Sequence, residues 1–434
     1  MKVEDGNGNV QTLMSRFGVF ARSTLACSTL ARSALAVALL GGCGSSDDES
    51  KGDGFTPLAT MGPLGVPSPT LVGENVIFVD ATLDGHAGGR LLVDTGSPFT
   101  LVNGALFAGV MLPPQTQVNV DVGVGELTID QVPALQLTGG SMDQLRLAGI
   151  LGGNVLRQFS ATFNYRDQLL QLGAGALPDG VEDETQLKFE LSGGGLASLD
   201  GHVITVPKTR VPITAMLENK SYHFVLDTGA SDIVLRSSDF DAIASDGRPV
   251  LDDAPFTTVS GPGTTRVTRV HTVTLGGQTV TDVAVASEDD IIDAISSELG
   301  YSLDGLFGGD FLREFLVTID FPRGVVELRR YTTRDHVMDE FKRVGFWLAA
   351  SGSTGFTVAA LHAGGDAANR GVAVGDQILA IDGTDLSALD VLASDTMLNG
   401  NAGATHRIRF GHAQSAALAN TETDFLIEDL VPVN

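Results

Sequence analysis

Apolar and polar positions alternate with a period of two along much of this chain, in short runs cut by glycine, proline and aspartate. "NVIFVDATL" (75–83), "VNVDVGVGELTID" (118–130), "RVTRVHTVTLGGQTVTDVAV" (266–285) and "FLVTIDF" (315–321) are rich in Val, Ile, Thr and Phe. That pattern is the one a half-buried strand requires, with one face to the core and one to water. Helical periodicity is scarce, so a mainly β architecture is expected.

The strand pattern repeats. "ATLDGHAGGRLLVDTGS" (81–97) overlies "TAMLENKSYHFVLDTGA" (214–230) at an offset of 133 positions, each a strand, a polar turn and a second strand ending at an aspartate. Further on, "LGGNVLRQFSATFNYRDQLLQL" (151–172) overlies "FGGDFLREFLVTIDFPRGVVEL" (307–328) at an offset of 156. Two tandem copies of one domain account for both, over 71–176 and 186–331, with the glycine-rich "SGGGLASLDG" (192–201) near their junction.

Charge and cysteine content narrow the function. With 53 acidic against 27 basic residues the net charge is −26, which excludes a phosphate-binding nucleic-acid surface. Neither a nucleophilic-serine elbow, a phosphate-binding P-loop nor a His-Glu-x-x-His zinc motif is present, the histidines are scattered, and no metal or cofactor is expected. From Met14, a plausible true start, Arg16, Arg22 and Arg32 precede an apolar run over 33–40 and the small residues Gly41 and Gly42, the order of an export signal. Leu40-Gly41-Gly42-Cys43 resembles a bacterial lipobox, which implies lipidation at Cys43 and anchoring in the cell envelope, the outer membrane favoured, with the domains in the periplasm or outside the cell. Residues 1–43 then read as signal peptide and 44–70, rich in Ser, Asp, Gly and Pro, as a flexible tether.

Each repeat resembles one lobe of an aspartic protease: apolar residues, Asp-Thr-Gly-Ser or Asp-Thr-Gly-Ala, then two apolar residues and a glycine, Ile150-Leu151-Gly152 in one copy and Leu306-Phe307-Gly308 in the other. "LDTGASDIVL" is especially similar to the retroviral type. The resemblance implies two tandem retropepsin-like lobes related by a pseudo-two-fold, with Asp94 and Asp227 as the catalytic pair. Two carboxyls close enough to share a proton supply both a base for water and an acid for the scissile carbonyl, and which aspartate is the base stays open. It further implies that Thr95 and Thr228 link the two loops, that Gly96 and Gly229 admit the substrate backbone, and that Ser97 hydrogen-bonds the first aspartate where Ala230 cannot. From aspartate to glycine the second copy is longer, 81 positions against 58, and most of the excess lies in "SDGRPVLDDAPFTTVSGPGTTRV" (245–267). A flap with Gly261-Pro262-Gly263 at its tip is expected there, on the second lobe alone.

Residues 340–412 resemble an α+β PDZ domain, through Val344-Gly345-Phe346 and "GVAVGDQILAIDG" (371–383). The resemblance implies a groove that takes a C-terminal peptide, with Arg343 assisting at the carboxylate and the strand 346–350 pairing with the peptide. Residues 413–434 read as a tail. The expectation is an exported aspartic endopeptidase acting on peptides or proteins that the PDZ domain recruits. A non-catalytic peptide-binding lipoprotein of the same fold is the alternative.

Overall fold

A computed structural model of the chain describes residues 55–433, apart from 108, 111, 113–116, 137–146, 200–201, 259–260, 334–338, 352–354 and 390. The signal, the lipobox and Cys43 lie outside the described residues. Two closed six-stranded barrels and a third β domain make up the molecule.

In the first barrel the strands run Val76–Leu83, His86–Val93, Gly149–Leu151, Thr100–Val102, Leu127–Gln136 and Gln117–Val124, which returns to Val76–Leu83. The second repeats the order with Pro212–Leu217, Lys220–Leu226, Gly305–Phe307, Ile233–Leu235, Gln278–Ser287 and Gly261–Leu275, closed back onto Pro212–Leu217. Closure leaves no free edge within either barrel. In the first, Gly88, with φ of +115°, is one extra residue between the pairs Ala81↔Gly89 and Thr82↔Ala87. That bulge shifts the match between the opening hairpins by one position before the two aspartates fall into line.

The lobes join through a six-stranded sheet in the order Pro67–Gly73, Leu169–Leu172, Ser160–Asn164, Phe315–Asp320, Val325–Arg330, Thr185–Lys188. At its centre Ser160–Asn164 and Phe315–Asp320 run antiparallel, with Thr162 opposite Thr318. Repeat-equivalent residues paired with each other define a pseudo-two-fold within one chain, the symmetry an isologous contact requires.

Two boundaries are corrected by the structure. The expected tether 44–70 ends earlier: Arg157 stacks on Phe55, Gln158 accepts from the Leu58 amide, Thr60–Met61 pairs with the first barrel, and Pro67–Gly73 is an interlobe strand. The expected tail 413–434 contributes Glu422–Asp429, which pairs with Thr405–Phe410 on one side and Lys342–Val344 on the other. Both stretches lack long apolar alternation, and each gains its ladder from distant partners.

The third domain packs on both lobes. Phe341, Trp347, Leu430 and Val431 form one buried cluster with Leu251, Ala254 and Val267 of the second lobe. Val344, Phe346 and Leu348 belong to a cluster continuous with Val76, Phe78 and Leu92 of the first. In the second lobe the matching face, Val225 and Leu306, is covered by Ile292 and Ile295 of the helix Asp290–Leu299.

Candidate active site

Both Asp-Thr-Gly loops emerge where a strand ends at the interlobe contact. His86–Val93 lies parallel to Gly149–Leu151, so the Asp94 N–H reaches the Leu151 carbonyl at 3.1 Å. Lys220–Leu226 lies parallel to Gly305–Phe307, and the Asp227 N–H reaches the Phe307 carbonyl at 3.0 Å. The glycine after each apolar pair is needed because the loop passes over it. A Cβ on Gly152 would lie 2.1 Å from the Phe99 carbonyl oxygen, and one on Gly308 would lie 2.1 Å from that of Asp232. No side chain fits in that gap. From the next position Gly153 N–H donates to the Ser97 carbonyl and Gly309 N–H to the Ala230 carbonyl, both at 2.7 Å.

The threonines lock the loops together reciprocally. Thr95 Oγ1 donates to the Leu226 carbonyl at 3.0 Å and accepts from the Thr228 N–H at 3.0 Å. Thr228 Oγ1 donates to the Val93 carbonyl at 2.8 Å and accepts from the Thr95 N–H at 3.1 Å. All four bonds cross the lobe interface in a buried setting.

This grip brings the two aspartates together. A Cβ on Gly96 would lie 2.3 Å from Asp227 Oδ2, and a Cβ on Gly229 would lie 2.4 Å from Asp94 Cγ. Each glycine therefore makes room for the carboxyl of the other lobe, a demand that precedes any made by substrate. Both carboxyls are fully buried. Asp94 Oδ1 accepts from the N–H groups of Gly96 at 2.7 Å and Ser97 at 3.0 Å, and Asp227 Oδ1 from that of Gly229 at 2.9 Å. Oδ2 of each carboxyl finds no partner outside the pair.

Burial pushes the pKa of both aspartates above the ordinary carboxylate range. At Asp94 the negative charge of Asp227 adds to burial, and the Gly96 N–H and the Arg210 guanidinium oppose it. At Asp227 contact with Asp94, the Gly229 N–H and Arg210 oppose burial. A pair held this way keeps one proton where isolated carboxyls have none, and the proton belongs to the pair.

Residues 213–311 match the family model for an aspartyl protease, and residues 336–406 match that for a PDZ domain. The chain carries an aspartyl protease domain followed by a PDZ domain. The protease match holds Asp227 and most of the second lobe, and the first lobe repeats that barrel strand for strand. No curated protein matches the chain.

The expectations for Ser97, for Gly261-Pro262-Gly263 and for Arg343 are corrected. The Ser97 hydroxyl donates to the Phe99 carbonyl at 2.7 Å, and it is the Ser97 backbone that serves Asp94, a task open equally to Ala230. A hairpin is formed by Leu251–Thr258 and the start of Gly261–Leu275, yet Gly261-Pro262-Gly263 lies in the ladder opposite Thr258, Thr257 and Phe256. Residues 259–260, between the partners of the last pair Thr258↔Gly261, lie outside the described residues. Among the described residues of 103–116 the first lobe has a single 3-10 turn, Gly104–Leu106, and no second hairpin.

In the PDZ domain Arg343 is fully buried, with Nη2 on Asp395 at 2.8 Å and Nε on the Phe346 carbonyl at 3.2 Å, so its charge is committed inside the domain. Val344 and Phe346 are buried too, while the Gly345 carbonyl accepts from His362. The strand Phe346–Ser351 is the edge of its sheet, as peptide addition requires. Asp395 of the helix Val391–Thr396 already accepts the Leu348 N–H at 2.7 Å along that edge.

Sequence reasoning did not single out Arg210, which donates through Nη1 to the Gly96 carbonyl and through Nη2 to Glu298 at 2.6 Å. A charged residue just ahead of the strand Pro212–Leu217, next to the apolar Val211, was the available signal.

Proposed function

We propose that the protein is an aspartic endopeptidase, exported and lipid-anchored through Cys43, whose PDZ domain recruits protein substrates or partners by their C-terminal peptides. The reciprocal seating of Asp94 on Gly229 and Asp227 on Gly96 carries this reading, because it places two buried carboxyls with raised pKa values at one point. In the monoprotonated pair the carboxylate removes a proton from water as the water oxygen attacks the scissile carbonyl carbon. The carboxylic acid gives its proton to the carbonyl oxygen. One hydroxyl of the resulting diol then gives its proton to the free carboxylate while the carboxylic acid protonates the amide nitrogen, the carbon–nitrogen bond breaks, and the pair is again monoprotonated.

Full burial of both carboxyls means that a peptide arrives only when a covering element moves, a task suited to the second-lobe hairpin. Trp347 of the PDZ domain shares a cluster with Leu251 and Ala254 at the base of that hairpin, so recruitment and closure meet on one surface. Peptide hydrolysis measured from pH 3 to 8, with and without pepstatin and beside Asp94→Asn and Asp227→Asn, tests the activity. Turnover surviving either substitution rules out the paired mechanism. Detergent partitioning of the native chain and of Cys43→Ser tests the anchor.

A further inference from the structure

Arg210 is a fully buried cation that the hydrolytic steps leave without a task. Its side chain crosses from the second lobe into the first, where Nη1 takes the Gly96 carbonyl. The same peptide unit ends in the Ser97 N–H, which donates to Asp94 Oδ1 at 3.0 Å. A guanidinium on the carbonyl end of a peptide polarises its N–H end, because hydrogen bonds in series reinforce one another. Behind the guanidinium, Glu298 holds Nη2 at 2.6 Å and Nε at 3.3 Å from the helix Asp290–Leu299, itself nearly buried.

The device is built on one side only. Pro212 faces Val225 as Phe78 faces Leu92, and each of those partners stands two residues before its aspartate. By that register Arg210 occupies the place that Val76 holds in the first lobe. A buried ion pair is a poor source of stability compared with apolar packing such as Val76 provides. Its presence at the loop of the dyad calls for another reason.

We propose that Arg210 is a positioning residue which, through the Gly96–Ser97 peptide and its facing charge, sets the pH range over which the dyad holds a single proton, with Glu298 setting how much of that charge is felt. This rests on the hydrolytic reading above. The guanidinium pulls both carboxyls down against the burial that raises them. The buried Tyr165 phenol also feels the charge of Asp227, and burial keeps it neutral; Glu298 is the counter-charge of Arg210.

Two variants give opposite signs. Glu298→Gln retains the guanidinium and strips its counter-charge, so the acid limb of the kcat/KM profile moves down by roughly half to one pH unit. Arg210→Met combined with Glu298→Gln removes the cation without stranding a buried carboxylate, and the limb moves up by roughly one unit. Arg210→Lys in the native background returns the limb towards its native place. The carboxyl carbon shifts of Asp94 and Asp227, followed by NMR against pH, report the same displacement without turnover. Limbs and shifts unmoved in variants that melt as folded proteins, or moved in the same direction in both, overturn the inference. Opposite displacements of the carboxyl titrations with no hydrolysis by the native chain sustain it while rejecting the protease reading.

Discussion

Thr162 and Thr318 share a hydrogen bond of 2.9 Å between their hydroxyl oxygens, although 156 positions separate them. They are the same residue of the two repeats and face each other at the centre of the interlobe sheet. The pseudo-two-fold therefore passes through this pair and organises the grip of Thr95 on Thr228 as well.

Removing one carboxyl separates chemistry from stability. Asp94→Asn or Asp227→Asn is expected to lower kcat by at least about 10³-fold, since base or acid is lost. Folding responds the other way. Both native pKa values lie above their unfolded values, so the dyad's contribution to stability is full below the unfolded carboxylate range and is lost as pH rises through the folded values. At pH 8 the Asn variants melt above the native protein by an amount equivalent to roughly 1–3 kcal/mol, and the difference closes towards pH 4. Thermal melts at the two pH values check this, and a variant that melts lower at pH 8 refutes it.

The same raised values set the activity profile. The acid limb of kcat/KM lies above the pH at which ordinary aspartates ionise, because burial dominates both shifts. Full activity maintained at pH 3 contradicts this expectation.

Thr95→Val removes two interlobe bonds and leaves the Leu226 carbonyl and the Thr228 N–H unpaired in a buried place. A cost of about 2–3 kcal/mol in chemical denaturation follows, with recovery in Thr95→Ser. A double cycle with Thr228→Val reads strong coupling, since the same loops are freed twice. Simple additivity is the adverse result.

Pepstatin binding is expected to slow amide exchange over the described residues of 251–268 and to leave Gly104–Leu106 of the first lobe unchanged. Gly263→Ala perturbs the free hairpin, because the new Cβ comes within 2.6 Å of the Phe256 ring. Equal protection of both segments contradicts a single flap.

Asp395→Ala strands Arg343 as an unpaired buried charge and frees the Leu348 N–H. The PDZ domain loses about 3–5 kcal/mol. A chain ending at residue 412, which lacks the strand Glu422–Asp429 between two neighbours, fails to form this domain at all. Circular dichroism and limited proteolysis decide both.

How far the sequence carried the structure depended on where each contact lies. Strands with period-two alternation declared themselves, and the paired Asp-Thr-Gly within a larger repeat located Asp94 and Asp227. The apolar-apolar-glycine element was legible because Gly152 and Gly308 lie under a backbone that admits no side chain. Residues 55–70 read as a tether since their proline and glycine content hides a strand whose partners are some hundred positions away. Arg343 looked free because a cation beside a binding loop suggests a ligand, and its partner Asp395 stands 52 positions later on a helix. Arg210 was invisible for the same reason, its contacts being with Gly96 and Glu298.

The chain segment between the lobes changes the physics of assembly. Halves that meet face to face about a two-fold, as at Thr162 and Thr318, have the geometry of a homodimer whose active form vanishes on dilution. Covalent linkage replaces that bimolecular step by an internal one with an effective concentration of about millimolar or more. Freed from the need to serve both sides alike, each half is able to specialise: the hairpin of Leu251–Thr258 and the buried Arg210, which have no first-lobe counterparts among the described residues, and a PDZ domain attached to one end are arrangements that a symmetric pair of identical lobes has no means to encode.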